Sequence, residues 1–127
     1  MRLLLASFAL VSLLGVRDAR AEDGCTNPKT SYDRTYCTCK LFIESDNELN
    51  EVYKELKGQL PKDLASKLTS VQKEWITYRN SKCESGGTIA VDCNFDVNKA
   101  RTEYLRDRLR ECKTGHCQDE KIATRSW

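Results

Sequence analysis

Residues Trp75 to Cys93 read WITYRNSKCESGGTIAVDC. The stretch opens as an amphipathic helix carrying Trp75 and Tyr78 on one side. It closes in a Gly86-Gly87 loop set between Cys83 and Cys93. Paired glycines allow a tight turn with positive φ. A disulfide across such a loop makes a short, rigid and exposed shape. The stretch holds no nucleophile–base pair and no metal-ligand cluster, so it points to binding rather than catalysis.

Working outward, the apolar spacing is helical on both sides of this loop. Thr30 or Ser31 suits the cap of a first helix running to about Gln59, with Phe42, Leu49, Tyr53, Leu56 and Leu60 on one face and Asp46 as its polar member. Leu60-Pro61 stops it, and Pro61 with Asp63 suits the next helix start. A second helix carries Leu64, Leu68, Val71, Trp75 and Tyr78 and ends near Lys82. A third, starting around Asn94 to Asp96, carries Val97, Ala100, Tyr104, Leu105 and Leu109. Residues 88–91 are expected to be briefly extended at most. The predicted fold is all-α, a small disulfide-pinned three-helix antiparallel bundle. Its helical domain covers residues 22–112, and residues 113–127 form a polar, loosely held tail.

The first 21 residues read as a signal peptide. Arg2 precedes an apolar run from Leu3 to Val16, and Ala19-Arg20-Ala21 supplies the small-x-small pattern cut after Ala21. The run is short for a bilayer span, so the mature chain is expected to be periplasmic or secreted, without a membrane span. The whole chain has 21 Lys+Arg and 19 Asp+Glu. The leader removes Arg2, Arg17, Arg20 and Asp18, which leaves 18 of each sign. A near-neutral chain lacks the positive surplus that nucleic-acid binding needs. The remaining charge is uneven: Glu44, Asp46, Glu48 and Glu51 form an acidic stretch, and Arg101, Arg106, Arg108 and Arg110 make the last helix basic.

All seven cysteines lie after the leader. In an exported domain of this size they read as disulfides. Antiparallel packing brings Cys25, Cys37, Cys83 and Cys93 to one pole. Cys83–Cys93 is the natural bridge, followed by Cys25–Cys37, with Cys112–Cys117 pinning the tail and Cys39 left over. Cys37-Thr38-Cys39 with Cys112, His116 and Cys117 is a poor zinc pattern, so neither metal nor cofactor is expected.

Asp46, Arg79 and Arg101 lie on or beside apolar stripes, where charged groups usually pair with one another. They are expected to form a structural polar network. Tyr78, Arg79, Lys82, Gly86, Gly87 and Thr88 are the candidate partner-binding residues in and beside the loop. The single His116 stands near no Ser or Cys motif, and a C-x-C pair is not a thioredoxin-like centre. The chain does not read as an enzyme.

The order Cys37, Asp46-Asn-Glu-Leu49-Asn50, Tyr53, Leu60-Pro61, Gln72-Lys-Glu-Trp75-Ile-x-Tyr78-Arg79, Cys83, Gly86-Gly87-Thr88, Cys93, Arg101 and Leu105 resembles the LprI-type lysozyme-inhibitor domain. The resemblance runs from about Cys25 to Leu109. Three features depart from it: Asn98 where a Thr is usual, the additional Cys39, and the Cys112/Cys117 tail. The resemblance implies an exported helical protein that binds a lysozyme-like peptidoglycan hydrolase and blocks it sterically. The alternative is an immunity or envelope-assembly protein that offers its acidic stretch to a toxin or another envelope component.

Overall fold

The computed structural model describes residues 25–127; the expected signal peptide lies outside the described residues. The fold is mostly helical, as expected, but the described residues form four helices rather than three. They are α1 (Ser31–Gln59), α2 (Lys62–Cys83), α3 (Val91–Lys113) and the short α4 (Asp119–Ile122).

Helix α1 begins where its cap chemistry dictates. The Asp33 backbone N–H donates to Thr30 Oγ1 at 3.0 Å, and the Thr30 N–H donates to Asp33 Oδ2 at 2.9 Å. This reciprocal capping box satisfies two N–H groups that the helix leaves open. At the other end Leu60 is extended, as the residue before Pro61 must be, and α2 starts at once.

Cross-links fix the directions of the helices. Tyr53 bonds to Thr69, and Asp46 pairs with Arg79, so α1 and α2 run antiparallel. Asn98 meets Ser45, and Lys113 meets Glu55, so α1 and α3 run parallel. The arrangement is up-down-up. Ser45 is level with Asn98, and α3 starts seven residues before Asn98, level with about residue 38 of α1. The first two turns of α1 therefore project beyond α3 at the pole of the α2–α3 connection.

The core collects Leu49, Val52 and Leu56 from α1, Leu64, Leu68 and Trp75 from α2, Val97, Leu105 and Leu109 from α3, and Ile122 from α4. Three expectations need correction. Val52 belongs to the α1 core face, whereas Phe42, Tyr53 and Leu60 are only half-buried. Ala100 is exposed. The tail, expected to be loose, is folded back onto the bundle. Its reversal has a local cause: Gly115, at φ +79°, ends α3 in a Schellman turn. The His116 N–H reaches the Glu111 carbonyl and the Gly115 N–H the Cys112 carbonyl, and Cys117 is bonded to Cys112. Ile122 is then buried in the core, and Tyr104 donates its hydroxyl to the Lys121 carbonyl at 2.6 Å.

The connection between α2 and α3 also departs from the expectation. Residues Glu84–Ser85 and Thr88–Ile89 form a two-stranded antiparallel hairpin, β1 and β2. Helix α3 follows directly from Val91, three residues before its expected start, because Ala90 closes the hairpin by donating its N–H to the Cys83 carbonyl at 2.8 Å.

Candidate functional site: a stapled hairpin at one pole

The hairpin is built from its turn outward. Gly86 and Gly87 have φ of +58° and +76°. Left-handed backbone at both central positions is what a type I′ turn requires, and its twist matches that of the flanking strands. Glu84 pairs with Ile89, and Ser85 with Thr88. At the base Cys83 and Cys93 are joined, with Cα atoms 5.5 Å apart. Cys83 is buried in the core cluster, so the staple anchors the loop to packed structure. Every residue from Glu84 to Ala90 is exposed. A Cβ added at Gly86 or Gly87 would meet nothing, so these glycines serve the turn and not a close approach within the fold.

The candidate residues around the loop divide into two groups. Gly86, Gly87 and Thr88 lie on the exposed tip. Lys82, in the last turn of α2, is exposed and reaches back to Tyr78: its Nζ donates to the Tyr78 hydroxyl at 3.0 Å and stands 5.4 Å from the ring centre. Tyr78 is half-buried and lies 6.1 Å from the Trp127 ring. Arg79 is turned inward instead. Its Nη1 donates to Asp46 Oδ1 at 2.9 Å and to Asn98 Oδ1 at 3.1 Å, and its guanidinium lies over the Trp75 ring at 5.4 Å. Only 16% of its side chain is exposed. Arg79 thus serves the helix seam, and its guanidinium is not presented with the hairpin as the sequence suggested.

The polar network contains Asp46 and Arg79 as expected, but its third member is Asn98, not Arg101. Fully buried Asn98 donates to Ser45 Oγ and to Asp46 Oδ1, both at 3.3 Å, while it accepts from Arg79. One amide therefore ties all three long helices. Arg101 points to another seam. Its Nε donates to Gln72 at 3.0 Å and its Nη1 to Ser126 at 3.2 Å. No carboxylate among the described residues pairs with it, and burial lowers its pKa to about 10.

The acidic stretch is likewise committed largely within the bundle. Glu48 pairs with Arg106 and with Lys99 on α3, Asp46 with Arg79, and Glu44 with Lys40. The hydrogen bond that Arg106 donates to Glu48, and after it the one to Glu103, raises the pKa of Arg106 against the opposing effect of burial. The sulfurs of Cys25 and Cys37 are joined, as are those of Cys112 and Cys117, and Cys39 is the free thiol among the described cysteines.

The composition of the pole includes residues outside the sequence-derived site. Tyr32 and Tyr36, on the projecting turns of α1, are exposed, as is Ile89 on the hairpin. The signal for the tyrosines was present: they lie four residues apart, on a face other than that of Leu49 and Leu56. The hairpin with its Glu84, these two rings and Lys82 give one end of the bundle a mixed apolar and charged surface. No helix among the described residues is long and apolar enough to cross a membrane.

A family model described as lysozyme inhibitor LprI matches residues 23–105. This span contains the hairpin, its staple and the Asp46–Arg79–Asn98 network. No curated protein and no solved structure gives a match.

Proposed function

We propose, on the premise that this chain belongs to the lysozyme inhibitor LprI family, that it is an exported binding protein which blocks a lysozyme-type peptidoglycan hydrolase. The observation that carries this reading is the hairpin: seven consecutive exposed residues, 84–90, held at both ends by Cys83–Cys93. A pre-ordered protrusion loses little conformational freedom on binding, which favours affinity. Glycosidases of this type work with two carboxyl groups across a cleft. The Gly86-Gly87 tip carries no side chains, which favours its entry into such a cleft. There the Thr88 hydroxyl donates a hydrogen bond to a catalytic carboxylate, and Lys82 at the base supplies a complementary charge. Tyr32, Tyr36 and Ile89 form the surrounding apolar contact. Export and a periplasmic or extracellular site of action agree with three disulfides, which persist in oxidising compartments. This role needs no catalytic group of the chain's own.

The test is lysis of cell walls by lysozymes of several types, with and without the purified protein. The Thr88→Trp variant keeps both glycines and the staple but widens the tip. Loss of inhibition with unchanged far-ultraviolet circular dichroism is the expected result. Full inhibition by Thr88→Trp would remove the hairpin as the blocking element.

A further inference from the structure

The face formed by α2, α3 and the returning tail carries a cleft of about 440 Å³, within the range of sites for small ligands. Trp75, Tyr78, Val97, Tyr104 and Trp127 give it a mostly apolar, aromatic lining. Arg101 stands at its buried side, 3% exposed. Three rings surround the guanidinium: Tyr104 and Trp127 at 5.3 Å and Trp75 at 5.9 Å from its carbon. The neutral partners Gln72 and Ser126 take Nε and Nη1, while Nη2 is buried without any hydrogen-bond partner. A cation with an open donor at the back of an aromatic cleft is an unusual expense for a domain of this size, because each unsatisfied buried polar group costs stability.

We propose that this cleft is a binding site for a small apolar monocarboxylate, with Arg101 as the anchor of its carboxyl group. An anionic oxygen on Nη2 supplies the missing acceptor and the missing countercharge together, as a charge-assisted hydrogen bond. The apolar part of the ligand lies among the rings, and Lys82 adds a second positive group at the rim, opposed by Asp96. Trp127, 36% exposed and with its ring 5.3 Å from the guanidinium carbon, shifts aside to let the carboxyl group reach the buried Nη2. This inference goes beyond the inhibitor reading and does not depend on the hairpin.

The chain has two tryptophans, Trp75 and Trp127, and both line this cleft. Intrinsic fluorescence is therefore a local reporter. The full chain is titrated with decanoate, with decanol and with decylamine. The expected result is a saturable fluorescence change with decanoate at a concentration at least about tenfold below that needed for decanol, as one charged hydrogen bond requires, and no saturation with decylamine. Arg101→Gln should bring the decanoate and decanol midpoints together while circular dichroism stays helical. Equal midpoints for decanoate and decanol in the unaltered protein, or no saturable response to decanoate, overturns the proposal even if the variant does not fold.

Discussion

Replacement of Cys83 and Cys93 together by alanine tests the stapled hairpin most directly. The bridge closes a loop with a sequence separation of 10. Cross-link entropy for a loop of this size is worth about 2.8 kcal/mol in the unfolded chain. Cys83 is also buried against the core, so its loss adds a small packing defect. For a domain of this length each kcal/mol moves the melting temperature by ~4–8 °C, so a fall of roughly 10–20 °C is expected. The Cys25–Cys37 pair provides the control. Its separation is 12, so the same chain-entropy argument gives nearly the same loss of stability. The two variants should therefore melt alike but inhibit differently. Lysis assays well below both melting temperatures should show inhibition lost without Cys83–Cys93 and retained without Cys25–Cys37. Equal inhibition by the two would refute the reasoning, because hairpin rigidity would then have no role in blocking the enzyme.

Three other perturbations follow from the seams. Asp46→Ala leaves Arg79 with only the neutral amides of Asn98 and Asn80; since Asp46 is itself partly exposed, the loss should be about 1–2 kcal/mol by urea unfolding, and an unchanged midpoint would show the network to be idle. Trp75→Ala removes a core side chain that is 2% exposed and lies beneath two guanidinium groups, so about 3–5 kcal/mol is expected from thermal or urea melts. The Asp33 carboxyl is held below its ordinary 3.8 chiefly by the Thr30 backbone N–H, then by the Thr30 hydroxyl. A carboxyl with a lower value in the fold stabilises the fold above the unfolded value, and that contribution is lost as pH falls through the folded value. The start of α1 should therefore fray on acidification by nuclear magnetic resonance, and Thr30→Ala should raise the Asp33 value part of the way back.

Much of the scaffold could be read from the chain because its determinants are local. The cap at Thr30, the stop at Pro61, the seven-four-three spacing of α1 and the double glycine at 86–87 act within a few residues. What escaped the reading depends on residues far apart. Asn98 had no apparent reason to matter until α1 and α2 were placed against it, where its amide spans Ser45, Asp46 and Arg79. Arg79 and Arg101 both lie beside the apolar stripes of their helices and over the Trp75 ring, yet Arg79 meets a carboxylate and Arg101 meets none among the described residues. Only the rotation of each helix in the bundle decides that. The return of the tail is not legible in its composition, which is polar. Gly115 and a five-residue disulfide return it to the core, and a single apolar residue, Ile122, then suffices to seat it.

The family span holds the whole of one proposed surface and most of the other. The hairpin, its staple and the network that orients α2 lie inside residues 23–105. The cleft is shared: Trp75, Tyr78 and Arg101 come from the family span, whereas Ser126 and Trp127 come from beyond it. Arg101 is therefore a residue of the common domain whose surroundings are completed by this chain's own tail. The two surfaces meet at Lys82, Tyr78 and Cys93, and neither Thr88 nor Arg101 belongs to both, so their effects should separate under mutation. Thr88→Trp should abolish inhibition and leave the decanoate titration unchanged. Arg101→Gln should remove the carboxylate preference and leave inhibition intact. If either substitution disturbed both readouts with the helices still formed, the hairpin and the cleft would have to be one coupled site, with the Lys82–Tyr78 contact as the link between them.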